Sequence, residues 1–274
     1  MVDAFTDKPF TGNPAAVVVL DEAPAEEWMA AVAREMNLSE TAYVIRESLT
    51  DADFRLRWFT PSVEVDLCGH ATLASAHCLF EDGINDPIRF ATRSGVLSVT
   101  RHADGSLAMD FPALPPVQTD DGDAMAEALG RAAEWTGRSG NDFLVALLAS
   151  ENAVRELKPD LARVARMNVH GVIVTAAADP AEPHNFVSRV FAPNLGINED
   201  PVTGSAHAIL APFWAGRLGR TALVGLQASS RSGIVRVELR GDRVLVIGRA
   251  VTIVDGTLRP KWARAEGVGV RHRP

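Results

Sequence analysis

The stretch GHATLASAHCLFEDG, starting at Gly69, is echoed by GSAHAILAPFWAGRLG from Gly204, 135 positions further on. RSGVLSV from Arg93 is likewise echoed by RSGIVRV from Arg231, 138 positions further on. Two matches in one order at nearly one offset point to an internal duplication, so the chain must build one arrangement twice. The first pair of segments consists of small and apolar residues at helical spacing, and a helix without a polar face is stable only when buried on all sides. The expected fold is therefore α+β: two pseudo-symmetric halves, each a barrel-like, mostly antiparallel sheet wrapped around a central helix.

The proline-rich and then acidic stretch PALPPVQTDDGD, residues 112–123, marks the boundary. Residues 1–115 form the first half around the helix from Gly69. Residues 116–274 form the second around the helix from Gly204, with a C-terminal strand able to return to the first half. In the first half the patterns predict a strand over 15–20 and a helix from about 24 to 36, with Pro24 in its first turn and Trp28, Met29, Val32 and Met36 on one face. Strands follow in TAYVIR and DFRLRWFT, and three more lie between 88 and 111, divided by Ser94-Gly95 and ADGS. In the second half, helices are expected near 124–134 and 159–167, strands at FLVALLA, GVIVTAA, NFVSRVFA and within 223–254, and a polar tail at the end.

A net charge of −8 and a pI near 5.4 argue against a nucleic-acid partner, which needs a basic surface to neutralise phosphates. Cys68 and Cys78 are the two cysteines, too few for a disulfide framework, and a reducing cytoplasm is the expected location. No stretch is apolar and long enough to span a membrane, and the N-terminus lacks the basic and apolar regions of a signal peptide.

The helix from Gly69 is entered through DLCGHAT, and that from Gly204 through NEDPVTGSA. If the halves face each other, backbone N–H groups near Gly69 and His70 and near Gly204 and Ser205 converge, and two helix dipoles favour negative charge at one spot. A carboxylate or enolate fits there. A phosphate fits less well, since neither a Walker pattern nor G-x-G-x-x-G is present.

Glu40, in NLSETAYV, stands between a helix and an apolar strand; it is either a capping or solvated glutamate, or a carboxyl in a protected cleft with a raised pKa. His70 is a general acid/base near neutral pH or a hydrogen-bonded support. Asp200 orients a histidine, acts as a base or marks a turn before the helix. Ser205 contacts substrate or caps its helix. Cys68 is a thiolate activated by the helix N-terminus or a small buried residue. The seven histidines are scattered without H-x-x-x-H or H-x-x-E-H, which gives little support to a metal site, and no G-x-S-x-G suggests a serine hydrolase.

Together VDAFTDKPFTGNPAAVV, NLSETAYV, RWFTPSVEVDLCGHATLASA, MDFPALPP, NEDPVTGSAHA and GRAVTIVDGTL resemble the PhzF-like phenazine-biosynthesis isomerase family over nearly the whole chain. The resemblance implies the diaminopimelate epimerase-like fold, with the site between two halves, and homodimers. It implies that Glu40 is the catalytic acid/base, assisted by His70 and Asp200. Ser205 and the N–H groups of Gly69, Ala71 and Gly204 would hold a small carboxylated substrate. The family isomerase moves a proton between ring carbons of trans-2,3-dihydro-3-hydroxyanthranilate, after which the enol becomes a ketone; no cofactor or metal is implied. Related epimerases and racemases oppose two cysteines. Here Cys68 falls at the first such position but DPVTGSA has none, and Cys78 lies about two and a half turns down the same helix. An amino-acid epimerase or racemase is therefore the second reading, and a non-catalytic carboxylate-binding protein the third. The chain starts closer to VDAF than family members usually do, which leaves the edge of the first sheet open.

Overall fold

The computed structural model describes residues 1–259. The expected polar tail, with His272, lies outside the described residues.

Up to residue 112 the chain forms β1 (Val2–Ala4), β2 (Asn13–Leu20), α1 (Glu26–Met36), β3 (Glu40–Ile45), β4 (Phe54–Phe59), β5 (Glu64–Val65), α2 (Gly69–Glu81), β6 (Ile88–Thr92), β7 (Gly95–Arg101) and β8 (Leu107–Pro112). It continues through β9 (Val117–Gln118), α3 (Gly122–Leu129), β10 (Trp135–Arg138), β11 (Phe143–Leu147), α4 (Glu151–Arg155), α5 (Leu161–Arg166), β12 (Gly171–Ala177) and β13 (Phe186–Ala192). Then come β14 (Ile197–Asp200), α6 (Gly204–Leu218), β15 (Ala222–Gln227), β16 (Gly233–Arg240), β17 (Arg243–Gly248) and β18 (Ala250–Thr252). The fold is mixed α+β, with the 18 strands of the described residues joined in one hydrogen-bonded sheet.

One succession of pairings occurs twice. Strand β1 is antiparallel to β2, β2 parallel to β3, β3 antiparallel to β4, and β4 antiparallel to β5 but parallel to β6, from which β7 and β8 continue as a meander. Strands β10 to β17 repeat it: β10 antiparallel to β11, β11 parallel to β12, β12 antiparallel to β13, β13 antiparallel to β14 but parallel to β15, and β16 and β17 in turn. The ends cross over, because β9 pairs with β10 whereas β18 pairs with β1. Strands β8 and β17 join the two series as an antiparallel ladder. Even an ion pair is repeated: Arg57 on β4 holds Glu64 on β5 through two bonds of 2.7 Å, and Arg189 on β13 holds Glu199 on β14 at 2.7 and 2.9 Å.

Helices α2 and α6 supply the core. Along α2 every residue from Gly69 to Ala76 is buried, and its two buried hydroxyls return to their own helix: Thr72 to the Cys68 carbonyl at 2.6 Å, Ser75 to that of Ala71 at 2.7 Å. Helix α6 is as deeply buried yet contains Pro212, which has no N–H to offer the Ala208 carbonyl one turn back. The N–H of Leu114, in the expected boundary segment, takes that place at 3.2 Å, so the 112–123 connection is stitched to the core helix.

Three local expectations are corrected. Helix α1 starts at Glu26, because Ala25 after Pro24 is extended, at φ −62° and ψ 146°. The helix expected over 124–134 ends at Leu129, where Gly130 adopts the left-handed conformation, and frees the chain for β10, which the sequence patterns did not reveal. The helix expected near 159–167 is shorter, with Asp160 capping the Arg163 N–H, and is preceded by the unanticipated α4, capped by Ser150.

The N-termini of α2 and α6 meet at two glycines. A Cβ on Gly69 would stand 3.0 Å from the Gly204 Cα, and one on Gly204 3.2 Å from the Gly69 Cα and 3.4 Å from the Phe5 ring. The exposed Gly216 further along α6 has nothing within 4 Å. Gly69→Ala is expected to destabilise the protein by about 1–3 kcal/mol through overpacking. Gly216→Ala should stabilise it by roughly 0.5–1 kcal/mol through helix propensity alone. Urea unfolding of both variants checks the contrast; equal effects would mean that the helix junction is not tightly packed.

Candidate functional site

The end of α1 brings the chain to Ser39 and Glu40 at the start of β3, where the parallel pairing with β2 sets Glu40 opposite Ala15. Asn13 opens β2 two positions earlier. Cys68 and His70 enter with the first turn of α2, and Asp200 and Thr203 with the end of β14 and the start of α6. Residues far apart in sequence are thereby gathered around the junction of the two helices.

Glu40, Cys68 and His70 are 8%, 5% and 3% exposed. The His70 Nε2 is 3.3 Å from Glu40 Oε2 and 3.4 Å from Ser39 Oγ, while its Nδ1 is 3.5 Å from the Cys68 sulfur. The approach to Glu40 is not aligned as a hydrogen bond, so Glu40 Oε2 is buried with no hydrogen-bond partner. Burial foremost, and then the negative charge of Asp200, raise the Glu40 pKa well above the ordinary carboxylate range. Burial also pushes the His70 imidazole down to about 3. The expectation of a His70 titration near neutral pH is thus corrected: desolvation keeps the ring neutral, and the proton of the pair rests on the carboxyl. The Cys68 thiol is pushed well above its usual value, first by burial and then by the charge of Glu40. It is a thiol in this fold, not the thiolate considered from its place at a helix start.

Asp200 is held on all sides. Its Oδ1 accepts from Asn13 Nδ2 at 2.7 Å, its Oδ2 from the Thr203 hydroxyl, and its backbone carbonyl from Gln227 Nε2 at 2.8 Å. Burial raises its pKa, opposed by the bonds from Thr203 and Asn13. Asn13 also reaches the other side of the site, where its Oδ1 accepts from Ser39 Oγ at 3.2 Å, so one amide joins Asp200 to the residue beside Glu40. Glu199, the other acid of NEDP, is committed to Arg189. Alternation along β14 sends the two neighbouring acids to opposite sides.

Both helix starts are open. Neither α2 nor α6 has a side-chain cap, because Cys68 makes none and the Thr203 hydroxyl is turned to Asp200 instead. The first N–H groups of both helices, those of Gly69 and His70 and of Gly204 and Ser205, start at one junction, and the two dipoles favour an anion there. The fold thus brings Glu40, Gly69, His70, Asp200 and Gly204 together. Ser205 is half-buried at the second position of α6 and makes no side-chain hydrogen bond, so it does not cap the helix. Ala71 is fully buried, its N–H beside the Cys68 sulfur.

Asn13, Ser39, Thr203 and Gln227 were missed as site residues from sequence. The first three stand inside TGNP, NLSE and PVTG, segments that carry the family resemblance, so their signal was present although none was singled out; Gln227, in GLQASS, carries none. Glu40, Cys68 and His70 offer three ligand atoms within 4.8 Å of one another, a cluster that the scattered histidines of the sequence did not suggest. An open cleft of about 440 Å³ lies elsewhere, between the loop after Phe5 and strands β16 and β17. It does not include Glu40, His70 or Asp200, and its Arg231, Arg236 and Arg249 are engaged by Asp3 and Asp104.

The family profile PhzC-PhzF, described as phenazine biosynthesis-like protein, matches residues 2–256. A Pseudomonas aeruginosa protein named as an uncharacterized isomerase is 51% identical over 259 residues, covering 94% of this chain and 96% of its own. A crystal structure of a phenazine biosynthesis protein of the PhzF family from Enterococcus faecalis superposes with a TM-score of 0.84 at 42% identity, over 91% of this chain and 94% of its own. A probable proline racemase from Agrobacterium radiobacter shares the fold, at a TM-score of 0.61 and 13% identity over 94% of this chain and 92% of its own. From end to end of the matched region, the chain belongs to the phenazine biosynthesis-like protein family.

Proposed function

We propose that the protein is an isomerase that shifts a proton on a small carboxylated substrate without a cofactor, in the manner of trans-2,3-dihydro-3-hydroxyanthranilate isomerase. The observation that carries this reading is Glu40, a buried carboxyl with one unpartnered oxygen beside two open helix N-termini. The relative named as an isomerase, at 51% identity, adds to it. We also read the doubled strand order as two barrel-like halves, one around α2 and one around α6, with residues 1–115 and 116–274 as their sequence division. In that reading the C-terminal strand returns to the first half, which the pairing of β18 with β1 supports, while β9 stays with the second half through β10.

In the proposed reaction the N–H groups at the starts of α2 and α6 hold the substrate carboxylate. Glu40, as carboxylate, takes a proton from one ring carbon, the electron pair spreads into the adjacent unsaturation, and the same proton is returned to another carbon, which regenerates the carboxylate. The raised pKa suits this exchange, since a base of ordinary glutamate strength would hold the carbon-derived proton too weakly. Neutral His70 lies against the carboxyl at 3.3 Å, and Asp200, anchored by Asn13 and Thr203, faces it across the site.

A two-thiol epimerase or racemase is disfavoured by the second helix start, where Thr203 occupies the place corresponding to Cys68. A carboxylate-binding protein without turnover would need no desolvated acid.

Glu40→Gln should lower kcat by about 10²–10⁴-fold while keeping the fold, because it preserves shape and deletes the proton carrier. Wild type and variant incubated with trans-2,3-dihydro-3-hydroxyanthranilate in deuterated water, and read by mass spectrometry, check this. Undiminished turnover in the variant would remove Glu40 as the base, and binding without turnover in both would favour the carboxylate-binding reading. Cys68→Ala should lose less activity than Glu40→Gln; the reverse order would restore thiol chemistry.

The same acid has a stability signature. Native Glu40 keeps a proton that the unfolded chain releases above about pH 4.3, so its contribution falls as pH rises from there toward its raised folded pKa. Glu40→Gln should therefore melt at a similar temperature to wild type near pH 5, and a few degrees higher at pH 8, in thermal scans. A gap that narrows with pH would contradict the desolvated state of Glu40. Asn13→Ala removes the shared partner of Asp200 and Ser39 and should reduce kcat/KM by roughly 1–3 kcal/mol of transition-state stabilisation, measured by steady-state kinetics.

A further inference from the structure

Glu40 and His70 have a second chemical possibility, because Cys68 stands with them. Thiolate, imidazole and carboxylate form a donor set suited to zinc and unsuited to magnesium or calcium, which prefer oxygen alone. In a tetrahedral zinc site, ligand atoms at about 2.0–2.3 Å from the metal stand roughly 3.3–3.6 Å from one another. His70 Nδ1 already stands at one such edge, 3.5 Å from the Cys68 sulfur, while Glu40 Oε2 meets the other ring nitrogen, Nε2, at 3.3 Å. One ligand atom from each residue falls within 4.8 Å of the others, and rotation of the Glu40 carboxyl toward the ring nitrogen that faces Cys68 would close the triangle.

A second observation points to a ligand. Glu40 Oε2 is buried without a hydrogen-bond partner, and an orphaned carboxyl oxygen beside a thiol and an imidazole is a group that a cation would satisfy. The three side chains come from two fixed elements, β3 and the first turn of α2, so little ordering is needed on binding. The charges also balance, since one thiolate and one carboxylate neutralise a divalent ion in a buried site.

We propose that Glu40, Cys68 and His70 form a three-ligand site for zinc or a similar thiophilic divalent cation, and that the bound metal silences the enzyme by occupying its acid/base. On binding, the Cys68 thiol and the Glu40 carboxyl release their protons to solvent and the imidazole coordinates as a neutral ring. The fourth position is left to water. Coordination itself is independent of the reaction assigned above; the silencing rests on Glu40 being the proton carrier.

Cobalt(II) is the spectroscopic probe and zinc the inhibitor. The full chain titrated with cobalt should bind one ion and develop a sulfur-to-cobalt charge-transfer band in the near ultraviolet. Cys68→Ser should lose the band and bind more than about tenfold more weakly, whereas Cys78→Ala should retain both. Glu40→Gln, close in shape to the native residue, should also weaken binding more than tenfold, and serves if Cys68→Ser does not fold. In the wild type, turnover should fall in step with zinc occupancy and return on adding a chelator. Absence of binding, or a band that survives Cys68→Ser, overturns the site. Stoichiometric binding with full turnover overturns the silencing. Binding by a chain that never turns over the aromatic substrate upholds the site and counts against the proposed function instead.

Discussion

The contact between Gly69 and Gly204 is the constraint on which the rest of the molecule depends. Two helices can bring their N-termini backbone to backbone only where neither carries a side chain, and here a Cβ on either would press within about 3 Å of the other. The contact places two positive dipole ends at one junction, a costly arrangement unless something negative is held nearby. The Asp200 carboxylate stands at that junction beside the protonated Glu40, and neither helix is capped by a side chain. The surrounding sheet follows from the same demand, since helices so apolar and so slim must be enclosed by strands.

Around the junction, polar groups are arranged in two different ways. Asp200 is saturated, with Asn13, Thr203 and Gln227 holding its oxygens and its backbone carbonyl in one position. Glu40 is left short, with an unpartnered oxygen and a neutral imidazole at 3.3 Å. Such a difference between two neighbouring carboxyls separates their roles, because the saturated one is fixed as a reference charge and the unsaturated one is available to exchange a proton. Asn13 connects them, because one amide donates to Asp200 and accepts from Ser39. The cost is a buried acid held out of water, the kind of local disadvantage that folds tolerate at reactive sites.

The duplication was legible in the chain because it is carried by composition: two runs of small residues and two RSG turns at nearly one spacing. Helices α2 and α6 and most strands were legible for the same reason, since periodicity survives without knowledge of neighbours. Strand β10 and helix α4 were not, because each is short and depends on a cap or a partner strand for its existence. Glu40, His70 and Asp200 were visible as candidates, and Glu40 became a leading one through family resemblance. Asn13 and Thr203 were hidden in plain turn motifs, where an Asn or Thr before a proline or glycine reads as local structure. Their actual partners lie elsewhere in the chain, as with Asn13 and Asp200.

By itself, then, the sequence determined that one unit is built twice, that two apolar helices must be enclosed, and which side chains of suitable chemistry stand near the helix starts. Tertiary structure alone decided that the helix starts touch, that Glu40 lies against His70 and Cys68, and that Glu199 turns to Arg189 while Asp200 turns inward. The reason is the range over which each property acts. Hydrophobic periodicity and glycine content are local and can be read along the chain. Desolvation, by contrast, depends on what surrounds a group in three dimensions, and so the same glutamate that reads as a helix-to-strand cap becomes a buried acid with a raised pKa only when distant strands and helices close around it.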